Sequence, residues 1–242
     1  MSAQALLAQL RVELILASRR GEALLVTLAL PPVLLVFFAS VPLLPTGGHA
    51  PVAFLLPGMI ALAVMGNAMV SLGIGTAYER HYGVLKRLGA LPGARPTLVV
   101  AKTLAVLVLE AVQVAVLVLV ALALGWTPAG DPLAVGVALV LGTAAFAGIG
   151  LLLAGTLRAE STLALANGLF LAMLLLCGIV VPTSHLPDVL SDLAPWLPAA
   201  ALSDALRSAL VAEPWPWPRT LALAGWAAAA AFGAIVAFRV EE

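Results

Sequence analysis

Charged residues are scarce in this chain. Lys, Arg, Asp and Glu make up 10% of its 242 residues and hydrophobic residues make up 63%, and the mean hydropathy is +1.13. This composition excludes a soluble globular protein, whose surface needs many more charged groups. The 12 basic and 12 acidic residues also cancel. No basic patch with interleaved aromatic residues occurs, so we expect no nucleic-acid partner.

Redox and catalytic motifs are missing as well. Cys177 is the single cysteine, so no disulfide can form within the chain. A P-loop requires the pattern G-x-x-x-x-G-K-[ST], and neither Lys86 nor Lys102 follows a glycine. The patterns H-E-x-x-H and G-x-S-x-G are absent too. We therefore predict no catalytic, cofactor-binding or metal-binding residue in this chain, and no ATP hydrolysis by a P-loop of its own.

Long apolar stretches fill most of the sequence. Each has the length, about 20 residues, that a helix needs to cross a bilayer, and only Glu110 interrupts them with a charge. This pattern predicts an all-α polytopic membrane protein: one membrane domain over 1–242, a bundle over 23–238 and no soluble domain. The six predicted transmembrane helices are Ala23–Leu44, Pro51–Ala77, Thr103–Leu124, Pro132–Leu157, Ser161–Val181 and Thr220–Phe238.

Basic residues lie mostly on one side of these six spans. The other side has only Arg207 and Arg219. Because positively charged segments remain in the cytoplasm, we expect both termini to be cytoplasmic. An even number of spans requires the same. The cytoplasmic set is Arg11, Arg19, Arg20, Arg80, Lys86, Arg87, Arg95, Lys102, Arg158 and Arg239.

The segment 1–20 has a helical apolar stripe, formed by Ala3, Leu6, Leu7, Leu10, Leu14 and Ala17. We interpret it as an amphipathic helix lying in the cytoplasmic interface of the membrane. The alternative is a soluble helix packed on the rest of the protein.

Glycine and proline predict three further features. The glycines of the second and fourth spans, with Ala164, Gly168 and Ala172 of the fifth, are typical of close helix packing, within the chain or between two copies. The Pro31-Pro32 pair should kink the first span. The Pro-bounded apolar pieces in 182–219 predict short re-entrant helices in the outer leaflet after the fifth span.

A charged segment between the second and third spans predicts a short helix over 78–91 beneath the membrane. It reads Ala77-Tyr78-Glu79-Arg80-His81-Tyr82-Gly83-Val84-Leu85-Lys86-Arg87-Leu88-Gly89-Ala90-Leu91-Pro92. The simpler interpretation is an ordinary cytoplasmic loop that needs no partner.

This segment resembles the coupling-helix region of type-2 ATP-binding-cassette exporter permeases, in which the pattern E-R-x-x-G-x-L-[KE]-x-L-x-x-x-P precedes a lysine. Glu79, Arg80, Gly83, Leu85, Lys86, Leu88, Pro92 and Lys102 fill those positions. A second similarity follows the fifth span. It consists of Gly178-Ile179-Val180-Val181-Pro182, Leu186-Pro187, Leu197-Pro198 and Asp204-Ala205-Leu206-Arg207.

The resemblance implies a transport subunit of a prokaryotic cell (inner) membrane. It would form a homodimer, or a heterodimer with a related permease, and pair with two soluble ATPase subunits that have Walker A motifs and bind ATP and Mg²⁺. It implies an ATPase-coupling set of Tyr78, Glu79, Arg80, Gly83, Leu85, Lys86 and Arg87. Cargo would leave between spans two and five, beneath an outer gate formed by Pro182, Leu186, Pro187, Trp196 and Pro198.

Four polar residues inside the spans are expected either to line a substrate pathway or to hold helices together: Asn67, Glu110, Gln113 and Asn167. A different hypothesis is a proton-coupled secondary transporter that uses Glu110. Such transporters usually have internal repeats and several intramembrane ionisable groups, and neither occurs here. The apolar spans favour an amphipathic or lipophilic cargo, such as a drug-like compound or a lipid.

Overall fold

The computed structural model describes residues 3–19, 21–41, 50–85, 94–177, 192–211 and 214–237. Within these ranges the chain forms helices and turns and no β-strand. The helices are α1 (Ala3–Arg19), α2 (Gly21–Ser40), α3 (Pro51–Val64), α4 (Leu72–His81), α5 (Ala94–Ala123), α6 (Pro132–Thr156), α7 (Ala159–Leu176), α8 (Pro198–Val211) and α9 (Trp217–Ala237).

Five helices in the described part of the chain are long and apolar enough to cross a membrane: Pro51–His81, Thr97–Ala123, Pro132–Thr156, Ala159–Leu176 and Trp217–Val236. The first predicted span corresponds to α2, which has 20 residues and a shorter apolar portion at Thr27–Ser40. The polytopic all-α architecture is therefore confirmed, and the count of six spans stays a prediction. Pro31 and Pro32 both lie inside α2, which continues through them.

A π-helical segment, Met65–Ser71, joins α3 to α4 within the second span. The helix Pro51–His81 is therefore one rod of 31 residues with a wider turn near its middle. Such π-helical turns are uncommon and occur often at functional sites.

Helix α6 lies at the centre of the bundle, between α4, α8 and α9. Its glycines permit this position. A Cβ atom at Gly142 would lie 2.7 Å from the Leu202 side chain of α8, and one at Gly148 would lie 2.7 Å from Ala230 of α9. A Cβ at Gly150 would lie 2.7 Å from the Met69 carbonyl oxygen of the π-helical segment. The predicted packing role of glycine is confirmed for these positions.

Some predicted boundaries were wrong. Helix α5 begins at Ala94, well before the predicted Thr103, because a proline such as Pro96 is tolerated in the first turn of a helix. Helix α7 ends at Leu176, so Cys177 follows the fifth span instead of lying in it. The predicted end of that span, Val181, lies outside the described residues.

Helices also occur at the N-terminus and after the fifth span, and their predicted placement in the membrane stays a prediction. Helix α8 packs against α3, α6 and α9, and most of its residues are buried. That α8 is a re-entrant helix stays a prediction. Helix α1 packs mainly on α5 but buries no residue fully. Its exposed apolar side chains, Leu7, Val12, Ile15 and Leu16, remain available to a membrane interface.

Candidate functional site

A buried lysine joins three helices at the predicted cytoplasmic side. Lys102 of α5 lies 3.0 Å from the Glu13 carboxylate of α1 and 2.8 Å from the Glu79 carboxylate of α4. The lysine side chain is 4% exposed, and the two glutamates are 12% and 18% exposed. Removing one member of a buried charge group typically costs about 3–5 kcal/mol. This group, the Lys102 cluster, therefore holds α1, α4 and α5 together.

Arg80 joins the same end of α4 to a different part of the bundle. It follows Glu79 in the chain but donates a hydrogen bond to the carbonyl of Leu157, which is the C-terminal cap of α6. Ala77 packs beside it against Ala154 and Ala159. The end of the second span is thus fixed on one side to α1 and α5, and on the other side to the α6–α7 connection.

The chain turns at Tyr82 and Gly83 immediately beyond this anchored end. Gly83 has a φ of +72°, a left-handed conformation that glycine adopts without strain. The Tyr82 side chain is 70% exposed and Val84 is 41% exposed. The rings of Tyr78 and Tyr82 stack with their centroids 6.2 Å apart.

The predicted separate helix over 78–91 is therefore wrong at its start. Tyr78, Glu79 and Arg80 belong to the last turns of α4, and the helix is broken after His81. Helical geometry resumes only at residues 84–85. The physical cause is the glycine turn, which ends α4 before the charged segment does. Lys86, Arg87 and the rest of the segment to residue 91 lie outside the described residues.

Polar side chains join three helices near the middle of the membrane. Asn67, in the π-helical segment, donates through Nδ2 to Oε1 of Gln113 on α5, at 2.6 Å. Gln113 donates in turn through Nε2 to the Thr27 carbonyl of α2, also at 2.6 Å. Unpaired amides are costly in an apolar environment. The Asn67–Gln113 chain therefore fixes the rotation of three spans about their axes.

Glu110 is not part of this chain of hydrogen bonds and faces α6. Its side chain is buried at 1% exposure and one carboxyl oxygen bonds to the Thr143 hydroxyl of α6. Thr143 Oγ1 also lies 2.8 Å from the Leu139 carbonyl oxygen of its own helix. A hydroxyl has one hydrogen to donate. Thr143 therefore either donates to Glu110, or donates to Leu139 and accepts a hydrogen bond from a protonated Glu110.

The four predicted pathway residues lie in three separate places. Asn67 and Gln113 are bonded to each other, whereas Glu110 faces α6. Asn167 is exposed on α7 and donates to the carbonyl of Leu163, one turn earlier. Glu110 is bonded to none of the other three, because its hydrogen-bond partner is Thr143.

Aromatic and charged groups meet at the predicted outer side. Arg207 of α8 donates to the Phe54 carbonyl at 3.3 Å and lies 4.6 Å from the centre of the Phe54 ring. Asp204 lies 3.6 Å from Arg219, whose guanidinium is 5.3 Å from the Trp196 ring. Burial raises the pKa of Asp204, and the two arginines act in the opposite direction. These contacts join α8 to α3 and α9.

The residues of the predicted outer gate are only partly described. Trp196 is exposed and its carbonyl accepts a hydrogen bond from the Trp226 indole at 2.9 Å. Pro198 is buried at the first position of α8. Pro182, Leu186 and Pro187 lie outside the described residues.

Residues 4–211 match the family described as the ABC-2 type transporter. The chain belongs to the ABC-2 type transporter family. It is a membrane subunit of an ABC transporter, a multi-pass membrane protein from a family that normally pairs with an ATPase subunit. No curated protein matches the chain.

Several important residues of this ABC-2 subunit were not identified from its sequence. Glu13 and Thr143 are the partners of Lys102 and Glu110, yet neither stands in a recognisable motif. Tyr82 and Val84 are exposed in the turn after α4, whereas Arg80 and Leu85 of the predicted coupling set are buried. Among these residues only Tyr82 had a signal in the sequence, because it is an aromatic residue in a charged segment.

Proposed function

We infer that this ABC-2 subunit belongs to an exporter that moves an amphipathic or lipophilic compound outward. Two soluble ATPase subunits supply the energy by hydrolysing Mg²⁺-bound ATP, and two membrane subunits form a dimer. The observation that carries this inference is the cytoplasmic end of the second span. It presents an exposed turn at Tyr82, and Glu79 and Arg80 fix it to the helices on either side.

This arrangement transmits a displacement of the turn to several spans at once. A partner that moves Tyr82 also moves α4, since only His81 separates the last anchored residue from it. The Lys102 cluster then moves α1 and α5, and the Arg80–Leu157 bond moves the α6–α7 connection. A loop without internal contacts would absorb the same displacement.

The π-helical segment Met65–Ser71 supports bending of the second span at mid-length. Below it, α4 packs on α6 and α7 and is joined to α5 and α1 through the Lys102 cluster. Above it, α3 packs on α2 and α8. Where the segment crosses α6, the two helices are in close contact, because a Cβ at Gly150 would lie 2.7 Å from the Met69 carbonyl oxygen. The two halves of the span can therefore move differently about this crossing.

The exposed face of α7 supports association of two copies. Ala164, Gly168 and Ala172 recur at every fourth position and are exposed in the single chain, as is Asn167. A Cβ at Gly168 would meet nothing within 4 Å. Small residues allow close approach of a second helix in a membrane, and an exposed amide favours a polar partner there. In this proposal cargo leaves beside this face, between spans two and five.

Alanine substitution of Tyr82 tests the proposed coupling. A soluble ATPase subunit with a Walker A motif, co-expressed with this chain, is co-purified with the wild type and with Tyr82→Ala. We expect binding about tenfold weaker in the variant, a loss typical of a central aromatic residue in an interface. Trp217→Ala is the matched control, because Trp217 is similarly exposed, at 66%, but lies at the opposite membrane surface. Unchanged ATPase binding by Tyr82→Ala would contradict the proposed docking surface.

A further inference from the structure

A cavity of about 150 Å³ lies between α1, α2, the second span and α5. Glu13, Glu79 and Lys102 line its predicted cytoplasmic end, and Asn67 and Gln113 line its deep end. Its walls are apolar and include Leu16, Leu28, Leu72, Val106 and Leu109. The cavity is therefore polar at both ends and apolar between them.

The charges at its cytoplasmic end do not balance. Two carboxylates, Glu13 and Glu79, share the single ammonium group of Lys102. No other Lys or Arg is among the described residues that line the cavity. Unbalanced charge in a partly apolar cavity is costly, so a cation is favoured there and an anion is disfavoured.

Thr76 provides an independent sign of a ligand. It lines the same cavity and is 1% exposed. Its hydroxyl has no hydrogen-bond partner within the described part of the chain. Buried hydroxyl groups nearly always have a partner, and Thr76 lies one turn before Glu79, on the same face of α4. A ligand that reaches Glu79 can therefore also bond to this hydroxyl.

We propose that this cavity binds the ammonium end of an amphipathic organic cation. The ammonium group donates to the carboxylates of Glu13 and Glu79 and to the Thr76 hydroxyl, and the adjoining apolar part contacts Leu28, Leu72 and Val106. Cavities of about 150 Å³ accommodate a group the size of benzene.

This inference names a cargo class for the proposed exporter, and it rests on that function only for the statement that the ligand is transported. Binding itself needs neither ATP nor an ATPase partner. If the cation binds and is not transported, the proposed function is at fault. If export occurs and the cation does not bind, the cavity proposal is at fault.

The test uses the purified full chain in phosphatidylcholine nanodiscs without an ATPase. The probe is 2-phenylethylammonium, and 2-phenylethanol is its neutral counterpart. We expect saturable binding of the cation, at least about tenfold tighter than that of the alcohol, because a hydrogen bond to a charged group is stronger than one between neutral groups. Equal affinity for both probes, or no saturable binding of the cation, would overturn the proposal.

Two variants locate the site. Glu13→Gln removes the surplus charge and retains the Glu79–Lys102 pair, so we expect about tenfold weaker cation binding. Thr76→Val removes only the unpartnered hydroxyl and should weaken binding about threefold to tenfold without impairing folding. Glu160→Gln, an exposed carboxylate of α7, is the control and should bind like the wild type. Wild-type affinity in Thr76→Val would refute the site even if Glu13→Gln did not fold.

Discussion

The role of Glu110 is inferred from its hydrogen-bond partner as well as from its charge. Its carboxyl group is bonded to Thr143, which ties α5 to α6, and it does not line the cavity between α1, α2 and α5. This geometry favours a packing role over substrate contact. It also gives no support to proton-coupled transport, in which Glu110 would need a path for protons.

Substitution of Glu110 separates these roles. Glu110→Gln retains the size of the side chain and a hydrogen bond to Thr143, so the free energy of unfolding should change by less than about 1 kcal/mol. ATP-driven transport should continue at a similar rate. Thermal unfolding in detergent and transport in proteoliposomes measure the two quantities, and Thr143→Val is the companion variant that removes the same bond. Abolished ATP-driven transport with unchanged stability would contradict the packing role and favour contact between Glu110 and the substrate.

The Lys102 cluster changes which residues of the predicted coupling segment can face a partner protein. Glu79 was expected to contact a partner protein, yet its carboxylate points to Lys102 inside the chain. The segment can still be the coupling region, but its partner-facing residues are then those of the turn. Glu79 acts through Lys102, by holding α4 to α5.

Helix packing at the scale of whole elements depends on where glycines face their neighbours. Gly142, Gly148 and Gly150 place α6 against three different elements, whereas a Cβ atom at Gly136 on the same helix would meet nothing within 4 Å. Glycine content therefore does not by itself identify a contact.

Alanine substitutions on α6 should distinguish these glycines. In Gly150→Ala the new Cβ would lie 2.7 Å from the Met69 carbonyl oxygen. Backbone atoms cannot turn aside as a side chain can, so we expect a loss of about 1–3 kcal/mol in stability. Gly136→Ala is the matched control, and alanine's higher helix propensity should leave stability unchanged or slightly raised. Thermal unfolding measures both. If the two variants were equally stable, the close crossing of α6 and Met65–Ser71 would be wrong.

The molecule as a whole has a predicted cytoplasmic side with strong internal contacts and a predicted outer side where α8 packs. The Lys102 cluster and the Arg80–Leu157 bond lie on the first side, and the Arg207 and Arg219 contacts lie on the second. The distribution of basic residues is the basis for this orientation.

Cysteine labelling tests the orientation in intact cells. In a Cys177→Ala background, we expect a membrane-impermeant thiol reagent to label Thr127→Cys and not His81→Cys, both of which replace exposed residues. Permeabilised cells should show labelling at both positions, which controls for access. Labelling of position 81 from outside would reverse the topology and exclude a cytoplasmic docking site at Tyr82.

The sequence alone determined the membrane-spanning character, the approximate helices and the expected orientation. Membrane spans and their orientation are recognised from the hydropathy and charge of about 20 neighbouring residues, so no tertiary contact is needed to identify them. The family resemblance rested on ordered local motifs in the same way, and the family match confirmed it. The π-helical segment within the second span left no such signal.

Only the tertiary structure decided which polar residues meet. Lys102 and Glu13 are 89 positions apart in the sequence, and Glu110 and Thr143 are 33 positions apart. Such pairings depend on how each helix is rotated about its axis and on which helix packs beside it. In spans that are apolar on nearly every side, the sequence pattern gives no preferred face. Close contacts at Gly142, Gly148 and Gly150 and a few buried hydrogen bonds fix the rotation instead.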